Sequence, residues 1–169
     1  MHLSAGRLTK LFPVFYPPIF IDPNSGFLSN VQNIEVSTCP TWPVWECIAR
    51  ISTLRQLTVT AWDRDDCFLQ ILRDEGPGGV RDRALEVSTP FPAVYGIKIN
   101  TDTLSTSGLN VDFARALAQG LDARAAGAGE VEMGKIRSLE FRSCMSQLDE
   151  ETRGLLSSVA SEVRWRTRE

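Results

Sequence analysis

The sequence predicts an α/β fold in which short parallel strands stack in series and helices cover one side of the sheet. Three observations carry this. One apolar spacing recurs along the chain, helix-forming segments follow its copies, and a cysteine closes the unit twice, at Cys39 and Cys144. A strand of three to five residues is not stable alone, so each copy needs its neighbours to complete a ladder and bury its apolar face.

Residues 1–26 stand apart. "FPVFYPPIFIDPNSG" mixes aromatics with Pro13, Pro17, Pro18 and Pro23. Proline removes a donor and restricts the residue before it, which excludes a regular helix. So apolar a segment is expected to cap the open end of a core, leaving one repeat-type domain over 27–169.

The first copy of the spacing is "VQNIEVSTC", with Val31, Ile34 and Val36 apolar and Cys39 closing. "LRQLTVTAW" repeats it with Leu54, Leu57, Val59 and Trp62, and "KIRSLEFRSC" with Ile136, Leu139, Phe141 and Cys144. Two weaker copies lie between. "RALEVSTP" keeps Leu85 and Val87, and "VYGIKIN" has Val94, Ile97 and Ile99 with Asp102 at the closing position. The closers Cys39 and Trp62 are 23 residues apart, and Trp62 and Pro90 are 28 apart. Both intervals fall within the roughly 20–29-residue period of leucine-rich repeats. A small residue suits the closing position because its polar atom can meet backbone groups of the turn.

Helices follow. "TWPVWECIARI" places Pro43 in a first turn and Trp42, Trp45, Ile48 and Ala49 on one side. "DRDDCFLQILRDEG" opens on aspartates that suit a helix dipole, buries Phe68, Leu69 and Leu72, and ends at Gly76. "NVDFARALAQGLDARAAG" has Asn110 as cap, Phe113, Leu117 and Leu121 on one face, and Gly127 at its end. Asp149 caps "EETRGLLSSVA", which is expected to bury Leu155, Leu156 and Val159, and "EVRW" (Glu162 to Trp165) reads as a short closing strand. The terminal "RWRTR" reads as a solubilising tail.

Composition narrows the function. Hydrophobic residues make up 43% and charged residues 23%, the balance of a globular domain with a core. A net charge of −3 leaves no basic footprint for nucleic acid. No segment reaches the roughly 18 apolar residues of a membrane span. Prolines interrupt the apolar N-terminal run and no small-residue cleavage site follows, so a cytoplasmic or nuclear location is expected. Cys39, Cys47, Cys67 and Cys144 form no C-x-x-C and are read as reduced thiols.

Chemistry-bearing patterns are sparse. His2 is the single histidine, and any Cys–His or Ser–His–Asp arrangement would have to use it. "DRDDC" lacks the glycine turn and distal glutamate of a calcium loop, and its carboxylates push the Cys67 thiol away from the thiolate form. "GPGG" (Gly76 to Gly79) lacks the lysine and Ser/Thr of a phosphate loop. No catalytic residue, metal or cofactor is therefore assigned.

The order strand–cysteine–Leu-Asp–helix in "LEFRSCMSQLDEETRGLL" resembles the cysteine-containing class of leucine-rich repeats. The wider layout, "LRQLTVTAWD", "GLNVDFARALAQGLDARAAG", "IRSLEFRSC" and "EVRW", is similar to the C-terminal region of F-box-like proteins of mushroom-forming fungi over about residues 28–166. The resemblance implies a short, irregular leucine-rich-repeat-like solenoid that binds protein, the target-recognition part of an F-box-type ubiquitin-ligase adaptor. The proline-broken residues 1–30 do not match an F-box, so the resemblance extends to the repeat portion without its adaptor.

A non-catalytic domain that binds a protein partner is the expectation. Strand alternation turns Glu35, Thr58, Glu86, Lys98 and Glu140 outward as a polar strip for that partner. Two alternatives are a small hydrolase using Cys67 or Cys144 and a truncated paralogue without independent function.

Overall fold

In a computed structural model, residues 30–36, 40–61, 66–73, 89–101, 111–127, 135–142 and 148–166 are described. They alternate strand and helix: β1 (Asn33–Val36), α1 (Trp42–Ala49), β2 (Gln56–Ala61), α2 (Asp66–Leu72), β3 (Gly96–Thr101), α3 (Val111–Gly127), β4 (Ile136–Arg142), α4 (Glu150–Val159) and β5 (Ala160–Arg166). The strands form one sheet in the order β1-β2-β3-β4-β5, and every pair is parallel. Sequence order equals spatial order because each helix returns the chain to the start of the next strand.

The recurring spacing is also the sheet register. Ile34 lies beside Leu57, Leu57 beside Ile97, Ile97 beside Leu139 and Leu139 beside Val163. Two residues on, Val36, Val59, Ile99, Phe141 and Trp165 form a second row. The first four members of both rows are buried, as are Val31, Leu54, Val94 and Ile136, which open the four copies. β3 thus comes from "VYGIKIN", while Leu85 and Val87 of "RALEVSTP" lie outside the described residues.

The helices pack on this apolar face and on one another in series, α1 on α2, α2 on α3 and α3 on α4. Pro43 sits in the first turn of α1, where its missing N–H costs nothing. Trp45 stands 5.0 Å from Phe68, and Phe68 6.2 Å from Phe91, ring centre to ring centre. This tilted aromatic run ties α1 and α2 to the turn before β3. Gly120 lets α3 close on α2, since a Cβ there would stand 2.9 Å from Leu72 Cβ. Asp149 caps α4 by accepting a 2.7 Å bond from the Thr152 N–H. That bonding holds the Asp149 carboxyl below its usual value.

Arg124 fixes the turn before β3. It is 2% exposed and donates to the Pro90, Phe91 and Val94 carbonyls at 3.0, 2.7 and 2.9 Å. Phe91 has φ 54°, a left-handed conformation costly for a side chain of this bulk. Its N–H donates to Ala49 O at 2.8 Å, so the turn is held from both sides. Burial pushes the Arg124 guanidinium down to about 10.

Several expectations need correction. Leu155, expected in the core, is 41% exposed, and Thr152 takes a fully buried place on α4 instead. A helix that turns directly into β5 at Ala160 buries its Thr152–Leu156 side, and Leu155 lies off that side. The closing strand is seven residues long and starts at Ala160, before Glu162. It absorbs Arg164 to Arg166, so most of "RWRTR" is strand rather than tail. The capping segment 1–26, the closers Cys39, Trp62 and Cys144, and the cap Asn110 lie outside the described residues.

Candidate binding face

Along each strand, side chains alternate between the helix-covered face and the opposite one. The second face collects polar residues into rows. Asn33, Gln56, Gly96, Ser138 and Glu162 form the first, then Glu35, Thr58, Lys98, Glu140 and Arg164. A third contains Thr60, Asn100, Arg142 and Arg166. Among the described residues no other element lies over this face.

The structure thus brings Glu35, Thr58, Lys98 and Glu140 into one line across four adjacent strands. Glu86 lies outside the described residues. Glu35, Thr58 and Lys98 are half-buried. Glu140 departs from the expectation of an outward, solvated charge. Its side chain is only 6% exposed, because Arg142 Nε donates to its Oε1 at 2.6 Å and Arg166 Nε approaches the same oxygen at 3.3 Å. Burial alone would raise the Glu140 carboxyl. The Arg142 bond and charge, with Arg166 and Lys98 nearby, outweigh burial and bring it below its usual value.

Arg142, Arg164 and Arg166 were not singled out by the sequence as members of this face. The signal was present in the period-2 alternation continued from Glu140 and through "EVRW". Arg164 Nε donates to Glu162 Oε1 at 2.6 Å along β5. The face is therefore acidic at Glu35, mixed at the centre and rich in guanidinium groups towards the ends of β4 and β5. In the third row Asn100 Oδ1 is buried without a hydrogen-bond partner.

Cys67 is half-buried on α2 and packs against the core, and Cys47 is half-buried on α1. Cys144 and His2 lie outside the described residues. Among the described helices none is long and apolar enough to cross a membrane. Comparison with family models, with curated proteins and with solved structures finds no match for this chain.

Proposed function

We propose that this chain is a non-catalytic protein-binding repeat domain, a short leucine-rich-repeat-like solenoid that holds a protein partner on the polar face of its sheet. The supporting observation is the alignment of Glu35, Thr58, Lys98 and Glu140 at matched register on β1 to β4. Strands stand about 4.8 Å apart, so the line from Glu35 to Arg164 offers charged and polar groups at fixed intervals over roughly 19 Å. Groups on strands hold their positions better than groups on loops. The alternation of acid and base along the line favours a partner with the complementary order and penalises others by like-charge contact.

The resemblance supports a narrower version, in which the domain selects targets for an F-box-type ubiquitin ligase in the cytoplasm or nucleus. The broad reading is tested by the double variant Glu35→Lys/Lys98→Glu, which keeps the net charge and exchanges the signs at two positions of the line. Partners taken up by the wild-type chain should be released. Unchanged uptake would place binding elsewhere. The narrower version predicts co-purification with ligase subunits from the same cells, and it fails when partners are recovered without them.

A further inference from the structure

We infer that β5 is a self-association edge, pairing antiparallel with β5 of a second copy so that two five-stranded sheets become one sheet of ten. The two edges of the sheet differ. Among the described residues β1 has four, and a short edge strand is one of the ordinary protections against unwanted pairing. β5 has seven residues, contains no proline, and among the described residues has only β4 beside it. The chain also leaves apolar surface at this end. Leu155 on α4 is 41% exposed, Trp165 on β5 is 39% exposed although stacked on Phe141 at 4.5 Å, and Val163 is half-buried.

The order of charges on β5 decides the occupant. Two identical strands related by a two-fold axis pair antiparallel, and each contact occurs twice. With Val163 opposite itself, Glu162 lies opposite Arg164 of the other copy, and Arg164 opposite Glu162. Ser161 meets Trp165, and Ala160 meets Arg166. Each of the two charged contacts joins opposite signs. Moving the centre to Arg164 sets that arginine against itself, so the sequence favours one register. An axis perpendicular to the sheet keeps both polar faces on the same side, giving a doubled binding surface.

The test uses the full chain in sedimentation and light scattering at concentrations from about 1 to 100 μM, the range of moderate self-association. The expected particle has twice the 18.8 kDa mass of the chain. Glu162→Arg alone and Arg164→Glu alone each set like charges opposite one another twice, and each should weaken association by about tenfold or more. The combined Glu162→Arg/Arg164→Glu variant restores the opposite signs and should recover wild-type association. Val163→Cys should form a disulfide-linked dimer under mild oxidation, because its two new thiols face each other, while Ser161→Cys should not. A chain that stays monomeric throughout overturns the inference, as the charges would then be guarding the edge against pairing. A dimer indifferent to the single variants, or one the combined variant fails to restore, also overturns it.

Discussion

Replacing Arg124 by methionine isolates the contribution of one buried guanidinium to the placement of β3. The wild-type group satisfies three carbonyls, at 3.0, 2.7 and 2.9 Å. Hydrogen bonds from a charged donor are worth about 1.5–3 kcal/mol each, a gross of roughly 5–9 kcal/mol. Against this stands the cost of burying the charge. Burial brings the guanidinium down to about 10, a cost of roughly 3 kcal/mol at about 1.4 per unit, and methionine recovers it. The bonds win, and Arg124→Met should destabilise the domain by about 2–5 kcal/mol, a large part of the 5–15 kcal/mol typical of a folded domain. Urea unfolding followed by tryptophan fluorescence measures the loss. Hydrogen exchange over residues 89–95 should rise before global unfolding, because the left-handed Phe91 loses the contact that offsets its strain. Arg124→Lys should recover less than half, since an ammonium lacks the fork that reaches three acceptors. A methionine variant within about 1 kcal/mol of wild type, with unchanged exchange in the turn, would refute the reasoning.

Three further outcomes follow from the packing and the charges. Gly120→Ala gains about 1 kcal/mol of helix propensity but sets a methyl 2.9 Å from Leu72 Cβ, so it should destabilise by about 1–3 kcal/mol, whereas Gly154→Ala meets nothing within 4 Å and should stabilise by about 0.5–1 kcal/mol; thermal unfolding of the two variants gives opposite signs. Asp149→Ala should lower the unfolding midpoint at pH 7 through loss of the α4 cap. The Asp149 carboxyl lies below its usual value in the fold, so its contribution is complete above that usual value and is lost as pH falls through the depressed one; wild type and variant should converge in strong acid. Glu140→Gln obeys the same sign, because the Glu140 carboxyl is also depressed: its deficit in stability should be larger at pH 7 than at pH 3, and equal deficits would show that its charge is not engaged by Arg142 and Arg166.

Much of the sheet was legible because its register and its sequence period are the same object. Val31, Ile34 and Val36 fix one copy, and any parallel strand with that spacing aligns with it. The helices announced themselves by Pro43, Asp149 and the Phe113–Leu117–Leu121 stripe. The polar line was legible for Glu35, Thr58 and Lys98 because alternation alone assigns the face. The burial and charge state of Glu140 were less so: Arg142, two residues along β4, supplies most of its pairing and was in view, but Arg166 reaches β4 only after α4 has returned the chain. Arg124 was missed for a similar reason. On a helical pattern it looks like a solvated last-turn arginine, and only the arrival of the 89–95 turn supplies the carbonyls that bury it. Leu155 misled because an apolar residue beside Leu156 reads as core until β5 fixes which side of α4 faces inward.

Quantitative affinity capture with matched variants shows whether the polar face of the sheet holds protein. Wild-type chain, Glu35→Lys/Lys98→Glu on the face, and Arg153→Glu on exposed α4 are presented to the same cell extract. At least one protein held by wild type should be lost with the face variant and retained with the helix variant. Equal recovery by all three, with each variant folded, would overturn the proposed binding face.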